Sequence, residues 1–174
     1  MSNPVLKAIS DRRSIRAYKN EKISREQIDL LLKAAQEAPS ARNSQPWHFY
    51  IVENTELLKE ISDEVSSVAK EDLGNIFFSA PLVIFISCDA TTRWGRLDCG
   101  IAVQTIALAA HSMGLGSVIL GRPDMAFTGP KAEELKKRFK FPETHSFAVA
   151  IAIGVAAGTK EAHPIEPDRF SFVN

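Results

Sequence analysis

The chain has little that would hold a metal or form a covalent staple. Its two cysteines, Cys88 and Cys99, each sit in an apolar run. That is the setting of buried free thiols in a reducing cytoplasm rather than of a disulfide or a redox pair. Its four histidines, His48, His111, His145 and His163, are scattered without ligand spacing, so no metal site is expected. A net charge of zero lacks the electrostatic footprint of a nucleic-acid binder. No apolar run reaches the ~20 residues of a membrane helix. The best candidate is interrupted by Gln104, Thr105, His111, Ser112 and two glycines. The N-terminus shows no charged-then-apolar export pattern, so a cytoplasmic protein is expected. There is no Gly-x-Ser-x-Gly elbow and no phosphate-binding P-loop. Gly114-Leu115-Gly116 does not extend to a dinucleotide fingerprint, because Ile119 stands where the third glycine belongs and a helical pattern precedes it. With no self-sufficient acid–base or nucleophilic set, any chemistry is expected to come from a bound cofactor.

What is present centres on Asp98 to Gly121. Between Asp98 and Arg122 there is no Asp, Glu, Lys or Arg. As far as Met113 this stretch is rich in helix formers and apolar or small on every face, which predicts a helix buried all round. Gly114 ends it, and Ser117–Leu120 reads as a short strand. Around this unit, 174 residues are enough for one domain with a substantial core, taken here as 1–174. Asn3 and Pro4 open a helix with Val5, Leu6 and Ile9 on one face. Ser24-Arg25-Glu26-Gln27 is a capping box for a second helix, with Ile28, Leu31, Leu32 and Ala35 in one stripe. Trp47–Val52 and Leu82–Ser87 read as strands. A third helix, capped by Asn54 or Thr55, lies between them.

Gly121–Pro130 is expected to be a loop and Lys131–Lys140 a helix. In Ser146–Val155, Phe147, Val149, Ile151 and Ile153 alternate with Ala148, Ala150, Ala152 and Gly154. That pattern predicts an interior strand whose small face receives the central helix. Residues 156–174 read as an extended arm without a core of its own.

Two polar stretches offer chemistry. Arg12, Arg13 and Arg16 around Ser14 can grip a phosphate, since guanidinium forks match its oxygens and a hydroxyl adds a donor. The same cations can also serve only to neutralise a helix C-terminus. The loop Pro39–Pro46 offers Ser40, Arg42, Asn43 and Gln45, and read alone it is an ordinary connector.

Taken together, these stretches resemble the flavin-dependent nitroreductase family over most of the chain. Arg12-Arg13-Ser14-Ile15-Arg16 is similar to its Arg-x-Ser-x-Arg/Lys signature. Pro39-Ser40-Ala41-Arg42-Asn43-Ser44-Gln45-Pro46-Trp47 is similar to its Pro-Ser-x-x-Asn-x-Gln-Pro-Trp loop. Asp98-Cys99-Gly100 to Gln104, Ala109-Ala110 and Gly114-Leu115-Gly116-Ser117 resemble its central helix and following strand. The resemblance implies an α+β fold, a mostly antiparallel central sheet flanked by helices, in an intertwined homodimer. It implies two flavin mononucleotide (FMN) sites at the interface. It assigns Arg12, Arg13 and Ser14 to the phosphate and ribityl chain and Arg16 to the N1–C2 carbonyl edge. Pro39, Ser40, Asn43 and Gln45 are expected to come from the other subunit, with the Leu120 and Gly121 backbone near N5.

Lys160 is expected to complete the phosphate site. The usual Lys-x-Arg is not intact there, since Glu161 and Ala162 follow, and Arg169 is the alternative. A polar contact to the pyrimidine edge is expected from Lys70–Asn75. The implied activity is ping-pong: NADH or NADPH gives hydride to flavin N5, and a nitroaromatic, quinone or similar small acceptor then takes the electrons. A flavin carrier or sensor without turnover is the alternative. The chain is short for the family and lacks the extra helices that often cover the site, which implies a more open one.

Overall fold

The computed structural model describes residues 3–173. Helix α1 spans Pro4–Asp11, and Asn3 caps it by accepting from the Val5 and Leu6 amides. Helix α2, Arg25–Gln36, opens on the expected capping box. Ser24 Oγ accepts from the Gln27 amide at 3.2 Å, and Gln27 Oε1 accepts from the Ser24 amide at 3.1 Å. A 3₁₀ turn at Ala41–Asn43 precedes strand β1, Trp47–Val52. Asn54, rather than Thr55, caps α3, Thr55–Ala69. Strand β2 is Leu82–Asp89, helix α4 Gly95–Ser112 and strand β3 Gly116–Leu120. Helix α5 is Asp124–Thr128, helix α6 Ala132–Phe139 and strand β4 His145–Gly154. Gly114 ends α4 with φ of 76°, a conformation suited to glycine.

The sheet has four strands in the order β1-β2-β4-β3, each neighbouring pair antiparallel. Helices cover both faces, as expected of the α+β architecture, and β4 is interior. On one face α2 and α4 bury Leu31, Ala35, Cys99, Val103, Ile106 and Ala110 against Leu82, Ile84, Ile86, Ile151 and Ile153. On the other, α3, α5 and α6 pack on Val83, Phe85, Phe147, Ala150 and Ala152. This second core is aromatic: Phe127 stacks on Phe147 at 5.2 Å, and Phe85 meets Phe139 edge-on at 5.1 Å.

Four expectations are corrected. Helix α4 is not buried all round in the protomer, since Gly100 and Ser112 are exposed and Ile101, Gln104, Thr105 and Leu108 are half-buried. The central helix packs on the large face of β4, not the small one, and the room left by Ala150 and Ala152 belongs to the phenylalanine rings. The strict alternation also fails. A register shift between Ile86 and Ser87 leaves Ala148 as an extra residue in β4, so Phe147 shares a face with Ala150 and Ala152. The span from Gly121 to Pro130 is not all loop, since it contains α5, whose Ala126 and Phe127 are buried.

Beyond Ala157 every described residue is exposed, as expected of an arm, with one 3₁₀ turn at Pro167–Arg169. Asn174 lies outside the described residues. Among the described residues no helix is long and apolar enough to cross a membrane.

Candidate functional site

Arg12 follows the last turn of α1, its amide bonded to Ala8 O at 3.0 Å. The chain then runs extended against the sheet. Ser14 bridges Ser117 of β3 in parallel, and the Ile15 amide donates to Ser117 O at 2.9 Å. Tyr18 bridges Ala156, with Lys19 N–H to Val155 O and Ala157 N–H to Ala17 O, both 2.9 Å. The Tyr18 hydroxyl lies 2.8 Å from Ile15 O and 3.1 Å from Ala152 O. Burial raises the Tyr18 phenol well above its ordinary range, against the opposing charge of Arg16, so the hydroxyl stays a donor. The ring sits directly on Gly154, where a Cβ would meet Tyr18 Cδ1 at 2.8 Å and Pro81 Cδ at 2.7 Å.

This docking gathers the basic residues. Arg12, Arg13, Ser14 and Lys160 line one cavity of about 650 Å³, beside Leu6 and Ile9. A second, of about 430 Å³, shares Arg12, Arg13 and Lys160 and adds His111 and Ser117. Lys160 is thus brought to the Arg12 segment, whereas Arg169 pairs with Glu166 in the arm. Arg13 is partly committed: its Nη1 donates to Ser10 O at 2.6 Å and Arg12 O at 2.7 Å, closing the end of α1. Arg12 Nε is buried and has no hydrogen-bond partner among the described residues. An unmet charged donor is costly, and an anion offering several acceptors would satisfy it. Glu161 and Asp11 are the acids on these walls, and Asp11 is paired with Lys7, whose hydrogen bond lowers its carboxyl pKa. Guanidinium, ammonium and hydroxyl donors beside the aliphatic side chains of Leu6, Ile9 and Ile165 fit the phosphate end of FMN.

The other expected residues lie elsewhere in the protomer. The Arg16 guanidinium sits 5.9 Å from the Phe78 ring centroid, over its face. Phe78 and Ser79 both have positive φ, at 58° and 56°. Within Lys70–Asn75, Asn75 lines a small cavity with Tyr18, Asn20 and Ser79. Its Oδ1 accepts from the Phe77 amide at 2.9 Å. Leu120 is partly buried against the aromatic core, and Gly121 is exposed. Neither lines the Arg12 cavities, nor do Arg16, Pro39, Ser40, Asn43 or Gln45. Gln45 lines a separate groove with Leu32, Trp47 and His48.

The Pro39–Pro46 loop is held by side chains. Ser40 Oγ accepts from the Gln45 amide at 3.0 Å, and Gln45 Nε2 donates to Asn43 Oδ1 at 3.2 Å. Arg42, Asn43 and Gln45 all have positive φ, between 45° and 56°, and none is glycine. Such a conformation costs about 1–2 kcal/mol per ordinary residue, least for Asn. Two hydrogen bonds reach the loop from outside: the Asp89 amide donates to Pro46 O at 2.8 Å at its end, and at the strained turn Asp98 Oδ1 in α4 accepts from the Ala41 amide at 3.1 Å. Sequence reasoning placed Asp98 in a motif without giving it a role. The signal was its position as the last charge before the uncharged stretch.

Neither cysteine is placed for catalysis. Both are free and buried, and burial pushes both thiols up. Among the described residues no group of three or more His, Cys, Asp or Glu could hold a metal.

Comparison with known proteins bears on the family and the fold. A model of the nitroreductase family matches residues 9–155. An NADH dehydrogenase/NAD(P)H nitroreductase candidate of Methanothermobacter thermautotrophicus is 36% identical over 173 residues, spanning 95% of this chain and 84% of that protein. One of Archaeoglobus fulgidus is 34% identical over 175 residues, spanning 95% and 92%. A crystal structure of a nitroreductase with bound FMN from Desulfitobacterium hafniense matches with a TM-score of 0.91 at 35% identity, covering 100% of both chains. The matched span runs from within α1 past the end of β4 and holds the basic segment, the strained loop and the central helix; the chain belongs to the nitroreductase family.

Proposed function

We propose that this chain is an FMN-dependent oxidoreductase that oxidises NADH or NADPH and reduces a nitroaromatic, quinone or similar small acceptor by a ping-pong mechanism. The observation that carries this reading is the convergence of Arg12, Arg13, Ser14 and Lys160, with Arg12 Nε buried and unpaired among the described residues. Bound FMN supplies a flavin ring that accepts and returns a hydride. Arg12, Arg13, Ser14 and Lys160 hold its phosphate and ribityl chain. Arg16 serves the N1–C2 edge, where a fixed cation favours the negative charge of the reduced ring. The Leu120 and Gly121 backbone runs near N5.

Pro39, Ser40, Asn43 and Gln45 line neither basic cavity of their own protomer. We therefore assign them to the site of a second copy, in a homodimer with two interface FMN sites. Exposed Val5, Leu6 and Ile9 on α1, which buries no residue of its own, and exposed Ile165, Phe170 and Phe172 in the arm support such pairing. Residues 1–174 act as one domain, with 156–174 as an arm. Two buried free thiols suit a cytoplasmic setting.

The test is a visible spectrum of the purified protein, an FMN titration and steady-state oxidation of NADH or NADPH with an acceptor. A flavin band with turnover is expected. A colourless protein that FMN does not reconstitute overturns the reading. Flavin binding without turnover leaves a carrier.

A further inference from the structure

Asp98 is 2% exposed and lies in the first turn of α4. A buried carboxylate is costly to keep, although a helix N-terminus offsets part of the cost. Its side chain makes one hydrogen bond among the described residues, Oδ1 to the Ala41 amide, and Oδ2 is buried without a partner. Ala41 opens the 3₁₀ turn of a loop in which Arg42, Asn43 and Gln45 are all left-handed. Within Ser40–Gln45 the other polar contacts, Ser40 to Gln45, Asn43 to Gln45 and the turn amides of Asn43 and Ser44, are internal, and the next tie to the body of the protein is at Pro46, whose carbonyl accepts from the Asp89 amide at 2.8 Å.

We infer that Asp98 is a positioning residue for the flavin site. It holds the strained Ser40–Gln45 loop through the Ala41 amide, so that Ser40, Asn43 and Gln45 are presented in one conformation before FMN arrives. This rests on the assignment of that loop to the FMN site. A loop preset in its bound conformation loses less freedom on binding, so affinity is the quantity that Asp98 controls. Asp98 touches neither flavin nor substrate in this role.

The test compares Asp98→Ala, Asp98→Asn and Ala41→Pro by FMN titration, visible circular dichroism of bound flavin and thermal melting. Asparagine keeps an acceptor for the amide. Proline removes the donor from the other side. Ser40, at φ −137° and ψ 154°, already has the extended backbone that precedes proline. Asp98→Ala and Ala41→Pro are each expected to raise the FMN dissociation constant by about tenfold to a hundredfold. Each should also change the dichroism of the bound flavin, and the double variant should lose little more than either alone. Asp98→Asn should bind within a few fold of wild type. Should Asp98→Ala not fold, Ala41→Pro decides. Unchanged affinity in Ala41→Pro, additive losses in the double variant, or an Asp98→Asn as weak as Asp98→Ala overturns the inference. The functional reading survives each of these results as long as wild type binds FMN. A wild type that binds none overturns both.

Discussion

Two segments are proposed to meet the flavin, and the fold holds them by opposite means. Residues 12–19 are tied by backbone: Ile15 to Ser117, Lys19 to Val155, Ala157 to Ala17. The loop at 40–45 has no such ladder. It stands on Ser40 Oγ, Asn43 Oδ1 and a buried carboxylate, with three non-glycine residues left-handed. Backbone ties are insensitive to side-chain identity, so apart from Tyr18, whose ring and hydroxyl add an anchor, the first segment is free to vary what it presents while keeping its place. The loop has spent its side chains on its own shape, so nearly any change there moves it. The first segment acts as a seat set by topology, the second as a clasp set by side-chain chemistry.

That contrast breaks most visibly at Arg16. Arg16→Gln keeps the backbone ties, so FMN should still bind. Flavin reduction by the nicotinamide should lose roughly 2–4 kcal/mol of transition-state stabilisation, with a lower midpoint potential. Stopped-flow reduction and a redox titration at saturating flavin measure both. Wild-type values in the variant would remove Arg16 from the ring edge. Next comes affinity. Arg12→Ala removes a charged donor and should cost about 1.5–3 kcal/mol of FMN binding, while Asn43→Ala should cost about 0.5–1.5 kcal/mol. Equilibrium titration gives the ranking, and the reverse order would exchange the roles of seat and clasp.

The seat itself is probed at Gly154. Gly154→Ala drives a methyl into Tyr18 and Pro81 and should destabilise by about 1–3 kcal/mol. FMN affinity should fall with it, because Tyr18 carries the basic segment. An unchanged melting temperature would mean that Tyr18 is not the anchor. The smallest effect belongs to the clasp. Arg42 is exposed and left-handed, so Arg42→Gly should stabilise by up to about 1 kcal/mol in thermal melts. A clear loss would show that the guanidinium does more than face solvent.

Periodicity and capping made most of the framework legible. Ser24 and Gln27 announced α2, and the uncharged run after Asp98 announced α4 and β3. Interior placement of β4 followed from its two apolar faces. What escaped was decided by long-range contacts. A bulge at Ala148 depends on the register of β2, so alternation within β4 could not reveal that Phe147 changes sides. The packing partner of the small face was chosen by ring volume from α5 and α6, not by any pattern in β4. Helix α5 is five residues between Pro123 and Gly129 and is held by burial of Ala126 and Phe127, which local propensity does not encode.

In the site, Arg12 to Arg16 announced themselves by charge. Lys160 was expected there through the family resemblance alone; no local pattern announces it, and the return of the chain after β4 to Ala17 is what brings it beside them. The strain at Phe78, Ser79, Arg42 and Gln45 had no glycine to mark it. Asp98 gave a charge at a helix start, but its tie to Ala41 spans 57 residues.

The seat also imposes a timetable on the chain during synthesis. Tyr18 bonds to Ala152, 134 residues away, and β4 lies between β2 and β3. Translation at about 5–20 residues per second separates these partners by on the order of ten seconds. Once made, β2 and β3 each lack a neighbour until β4 emerges, and the segment that carries the arginines waits throughout for its Ala152 partner. The nascent chain is therefore exposed to wrong strand partners from the time β2 emerges until β4 follows it. Cofactor capture becomes one of the last events in its maturation, when residues near 150 emerge and close the sheet and the seat together.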